Sequence, residues 1–99
     1  IKTNPKDPNG YNDLAYVLAN KTTDYKQAMI YAKKAYAMAP NDFAVLDTIG
    51  WASFKLKQYA DAERYLSTSY NMSQNPETSE HLKQLISQVM LIWLIIQLL

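Results

Sequence analysis

Few residues in this chain can do proton or nucleophile chemistry. Cysteine is absent from its 99 residues and there is a single histidine, His81. Without a thiol there is no thiolate nucleophile, no thiolate metal site and no disulfide framework, and either redox compartment suits the chain. His81 would have to serve as a general base, with Glu77 one turn before it. The same spacing describes a solvated helix residue with an i, i+4 neighbour, and this plainer reading is adopted. Asp24, Asp42 and Asp47 are the carboxylates imaginable as acid–base groups or metal ligands. Asp24 and Asp42 stand just before apolar periodic runs, where a carboxylate caps a helix, and Asp47 reads as a surface-lining residue. No glycine-rich phosphate loop and no metal-ligand spacing occurs. The expectation is a protein that is not an enzyme and takes no cofactor and no metal.

The elements that would position these residues are helices throughout. A first helix is expected from about Pro8 to Asn20, because Tyr11, Leu14, Ala15 and Leu18 recur at i, i+3, i+4 and i+7. Asp24 caps a second, with Gln27 three residues on, and Ala28, Ala32 and Ala35 form a strip of small side chains that lets helices approach closely. Pro40 closes it. Asp42 caps a third helix, roughly Phe43 to Leu56, in which Gly50 costs about 1 kcal/mol relative to Ala and so implies close contact with the next helix. A fourth runs from about Gln58 to Asn71. Asn75, Pro76 and Glu77 then make a strong helix start, and Leu82, Leu85, Ile86 and Val89 give the fifth helix its apolar face.

The third and fourth helices repeat the first and second. Displaced by 34 residues, Tyr59 falls on Tyr25, Ala62 on Ala28, Tyr65 on Tyr31, Tyr70 on Tyr36, Met72 on Met38 and Asn75 on Asn41. This period, with Leu46, Ile49, Gly50, Ala62, Leu66 and Ser69 in one unit and Tyr11, Leu14, Ala15, Leu18, Ala28, Ala32, Ala35 and Pro40 in the other, resembles the tetratricopeptide repeat. The first unit has one extra turn residue within Asn20–Asp24. The second has Ser53 where Tyr is usual, Lys57 where the turn Gly is usual and Gln74 for the final Pro. The wording from Leu46 to Trp51 looks like that of bacterial members. The resemblance implies an all-α, helical-hairpin solenoid. Residues 1–7 would end a preceding repeat, 8–41 and 42–75 would be two full repeats, and 76–99 a long C-terminal helix with an apolar tail.

It also implies a function in protein–protein interaction. In similar proteins the first helix of each repeat lines a concave groove for an extended peptide or a partner's helix. Helical spacing places Asn12, Tyr16, Asp47, Trp51, Phe54 and Lys55 on that face, and Tyr and Trp are frequent binding hot spots. The aromatic members are equally suited to packing against a neighbouring helix. Chaperone-binding members clamp a terminal carboxylate with cationic residues, and that clamp is absent here. Tyr31, Tyr36, Tyr65 and Tyr70 could stack on single-stranded nucleic acid. They recur at the repeat period with no basic track beside them, and the net charge is +1, so packing is the reading adopted and no nucleic-acid partner is expected.

The tail departs from the repeat pattern. No charged residue follows Lys83, and only Ser87, Gln88 and Gln97 are polar from Leu85 onward. A helix apolar on all sides belongs in a core, an interface or a membrane. Leaving a dozen large apolar side chains in water would forgo on the order of 20 kcal/mol. The expectation is self-association, most simply a dimer, through Val89, Ile92, Trp93, Ile95 and Ile96. The alternative is a membrane-associated adaptor whose tail is a truncated anchor, since the uninterrupted run is shorter than the about 17–25 residues of a crossing. The stretch opens on Ile and shows no signal-peptide pattern. It is expected to be a fragment or processed form, with bacterial cytoplasm and cell envelope both open.

Overall fold

The computed structural model describes residues 6–99; the expectation for Asn4 and Pro5, at the end of a preceding repeat, lies outside them. Five helices follow in order: α1 (Pro8–Lys21), α2 (Tyr25–Met38), α3 (Phe43–Lys55), α4 (Tyr59–Ser73) and α5 (Pro76–Leu98). The described residues are all-helical, the architecture of a tetratricopeptide-like solenoid. Carboxylate and amide caps set the starts. Asp7 accepts from the Asn9 N–H, Asp24 from that of Gln27, Asp42 from those of Ala44 and Val45, and Asn75 from that of Glu77. Each bond satisfies backbone donors that have no partner within the helix. α4 has no such side-chain cap.

α1 pairs with α2 and α3 with α4. The second hairpin packs its α3 against both helices of the first, and α5 then lies on α4 and touches α3. Small residues make this stacking close. Ala15, Ala32 and Ala52 are buried with Met29 and Ile49, flanked by Tyr31, Tyr36, Leu56 and Tyr65. Tyr36 meets Tyr65 edge-on at 5.4 Å, and Tyr11 stacks on Tyr31 at 6.1 Å, so three of the four repeated tyrosines pack against aromatic neighbours. Gly50 sits where a Cβ would come within 2.8 Å of Leu66 Cγ. Its mid-helix cost is therefore the condition for α3 and α4 to touch. Ser69 donates its hydroxyl to the Phe43 carbonyl at 2.7 Å, pinning the end of α4 to the start of α3. The turn between them holds Lys57 at φ 65°, a left-handed conformation that a glycine adopts without steric cost.

Candidate partner-binding site

The first half of α5 decides the shape of the inner face. Asn75 caps it, Pro76 occupies its first turn, and the next turns bury Thr78, His81 and Leu85. Leu85 joins Ala62 and Leu66 in the α4 contact, with Leu82 and Tyr59 beside it. This rotates the buried face from the one expected: Ile86, placed there by its apolar type, is 55% exposed. Thr78 and His81 occupy the inward stripe at helical spacing instead.

For His81, the expectation that it is solvated is corrected. It is buried, and its Nδ1 lies 2.9 Å from Asp47 Oδ1, which is also buried. The imidazole stacks on Trp51 at 4.1 Å between ring centres and 17° between planes. Trp51 stacks in turn on Phe54 at 5.0 Å. One turn earlier, Glu77 accepts a hydrogen bond from the Tyr16 hydroxyl at 3.0 Å. Burial, that bond, and the charges of Glu77 and Asp47 push the Tyr16 phenol up to about 12. α1, α3 and α5 are thereby tied together by two polar contacts.

Between them lies a hollow of about 340 Å³ whose wall includes Asn12, Tyr16, Phe43, Asp47, Glu77 and Thr78. Of the six groove residues expected, Asn12, Tyr16 and Asp47 are brought together there. Trp51 is not: it is 3% exposed, packed with Ala19 and Ala28 under His81. The placement of Trp51 on an open groove face is corrected, since α5 covers it. Phe54 is half-buried between Trp51 and Tyr59. Lys55 lies with its Nζ 4.9 Å from the Trp51 ring centre and 5.8 Å from that of Tyr25. Neither lines the hollow. Sequence reasoning missed Glu77, Thr78 and His81 as inner-face residues. The signal was available in the i, i+3, i+7 spacing of Thr78, His81 and Leu85, but polar residues at those positions did not register as an inward stripe.

The second half of α5 is bare. Val89, Trp93, Ile95 and Ile96 are exposed and Ile92 is partly so. α5 is long and apolar enough to cross a membrane by length and composition, with a mean hydropathy of 1.3 over its most apolar window. Among the described residues no group of three His, Asp or Glu side chains is placed to hold a metal ion.

No family model matches the chain. Over 82 residues, 83% of its length, it is 37% identical to the TPR repeat-containing protein PA4667 of Pseudomonas aeruginosa, and it spans 14% of that protein's length.

Proposed function

The chain is built of tetratricopeptide repeats, and we propose from this that it is an interaction scaffold and not an enzyme, holding an extended peptide or a partner's helix on its inner face. The observation that carries the proposal is the hollow between α1, α3 and α5, where Asn12, Tyr16 and Asp47 meet Glu77 and Thr78. Its wall offers carboxylate, amide and hydroxyl groups beside the apolar Val17, Phe43 and Ala44. An extended peptide needs both, because its backbone N–H groups require acceptors while its side chains supply buried area. Trp51 supports this wall through His81, which stacks on it and meets Asp47, and Phe54 and Lys55 pack against Trp51 outside the hollow. Selection of binders from a random peptide library tests the proposal. Selected peptides should lose affinity for Tyr16→Ala by tenfold or so, the cost of truncating an aromatic hot spot, while circular dichroism stays unchanged. Peptides indifferent to Tyr16→Ala and Asn12→Ala would refute it.

The exposed second half of α5 adds self-association to this reading, through Val89, Ile92, Trp93, Ile95 and Ile96. Soluble monomers rarely expose contiguous apolar patches above a few hundred Å², and this half of α5 is apolar on every side. Sedimentation equilibrium of the chain and of Ile92→Glu tests it: a dimer is expected for the first and a monomer for the second. The second reading is a membrane-associated adaptor, favoured by the length and composition of α5. A full crossing by α5 would draw its first half away from α3 and α4 and break both His81–Asp47 and Tyr16–Glu77. Self-association leaves these contacts intact and is preferred.

A further inference from the structure

α5 has 23 residues and α4 has 15. The two are joined by a short turn and run antiparallel, so at 1.5 Å per residue α5 overhangs the start of α4 by about 12 Å. Leu82, Leu85, Val89, Ile92, Ile96 and Leu99 fall at alternating spacings of three and four, the seam of a two-helix coiled coil. The first two seam positions are occupied by α4: Leu85 packs on Ala62 and Leu66, with Leu82 beside it. Val89 lies level with the start of α4, and Ile92, Ile96 and Leu99 continue the same stripe past the point where α4 stops. The stripe is thus continuous with an interface already made inside the chain, and it lacks a helix along its second half.

We propose that a second copy of the chain supplies that helix, with the two α5 helices antiparallel and Ile92 of each opposite Ile96 of the partner subunit. This rests on the self-association reading and gives it a geometry. A parallel partner is excluded by the body of the molecule. Laid on the Val89–Leu99 seam in the same direction, its earlier residues would run through the space that α4 fills. An antiparallel partner runs the same way as α4, and its earlier residues lead away from the body of the molecule. One register then matches the seam layers: Val89 opposite the partner's Leu99, and Ile92 opposite the partner's Ile96. A shift of one heptad inward collides with α4, and one outward pairs only Ile96 and Leu99 among the described residues. Trp93 and Ile95 flank the seam near the two-fold axis. Val89, Trp93, Ile95, Ile96 and Leu99, on or beside that seam, are between 42% and 100% exposed, so apolar area is free to be buried by the partner. No charge lies beyond Lys83 to oppose the pairing.

The absence of cysteine makes the test clean. Ile92→Cys and Ile96→Cys chains of full length are oxidised separately and as an equilibrated mixture, then separated on a non-reducing gel. Sedimentation equilibrium of the unsubstituted chain runs alongside. The mixture should form disulfide-linked dimers at roughly fivefold or greater yield than either variant alone, since only the unlike pair brings Cβ atoms within bridging distance. Val89→Cys mixed with Leu99→Cys should behave alike and guards against misfolding of the first pair. Ile92→Cys cross-linking to itself as well as in the mixture would mean a parallel pair, overturning the inference while self-association stands. A dimer that cross-links in no mixture would overturn the seam. A monomer would remove both readings, and a monomer that floats with phosphatidylcholine vesicles would assign the tail to lipid.

Discussion

Replacing Gly50 by Ala sets two effects of opposite sign against each other in one methyl group. In an exposed helix the substitution would stabilise by about 1 kcal/mol through backbone entropy. Here the new Cβ would sit 2.8 Å from Leu66 Cγ, 2.9 Å from Leu66 Cδ2 and 3.1 Å from Tyr65 Cβ. Leu66 is fully buried, so its branch atoms cannot swing into solvent, and Tyr65 Cβ moves only with the backbone of α4. Overpacking of this kind costs about 1–3 kcal/mol, so Gly50→Ala should be destabilising by up to about 2 kcal/mol. At about 4–8 °C per kcal/mol for a domain of this size, the melting temperature should fall by several degrees. The sharper observation is a reversal. Leu66→Ala is itself destabilising, yet it removes the two closest atoms. Adding Gly50→Ala to that background should raise the melting temperature, because the propensity gain then meets less opposition. Melts at several protein concentrations keep association out of the comparison. A Gly50→Ala chain more stable than its parent would refute the argument, as would the same sign in both backgrounds.

Other consequences are measurable on the same scale. Lys57→Gly should stabilise by about 1 kcal/mol, because φ 65° costs a side chain roughly that much and glycine nothing; chemical denaturation reads it, and a loss of stability would mean the turn is held by the Lys57 side chain. Ala62→Leu should lower the melting temperature through about 1–3 kcal/mol of overpacking, since Ala62 is fully buried against Leu66 and Leu85. Tyr16 is held protonated in the folded state up to about 12, from its usual 10.0. The stability this gives is fully present below pH 10.0 and is lost as pH rises through the folded value. Tyr16→Phe should therefore flatten the alkaline fall in stability, and should remove the highest-titrating step from the phenolate absorbance. An unchanged titration would mean that Glu77 and burial do not act on this phenol.

The helices were legible because their signals are local. Asp24 and Asp42 cap where a short polar acceptor precedes an apolar run, Asn75 caps ahead of Pro76 and the acidic Glu77, and Gly50 marked close approach by its cost alone. What the sequence did not disclose is how far α5 would rotate about its own axis. Apolar type suggested Ile86 for the buried face, whereas Thr78 and His81 are buried. The reason is pairwise: a polar residue goes inside when a particular partner awaits it, and Asp47 lies 34 residues away in sequence. Periodicity registers one helix at a time and carries no record of such a match. Trp51 was misplaced by the same route. Its exposure depends on whether another helix passes over it, and the ring of His81 does.

The two halves of α5 solve different problems with one helix. A repeat array has an apolar end that a terminal helix must cover with its own outer side polar. The first half meets this condition: Leu82 and Leu85 face α4, while Glu80, Lys83 and Gln84 remain in solvent. The second half carries no charge, and its seam residues continue the stripe that α4 covers. An end cap would need polar residues at Met90, Leu94 and Leu98, spaced by four along the outer side, and these three are exposed apolar residues. Charging them should therefore separate the two roles. The triple change Met90→Glu, Leu94→Lys and Leu98→Glu leaves every seam position untouched. It should keep the pair together and improve solubility if the seam alone holds the dimer. If the chain instead becomes monomeric under sedimentation, the contact lies on the outer side, and the antiparallel seam is the wrong surface.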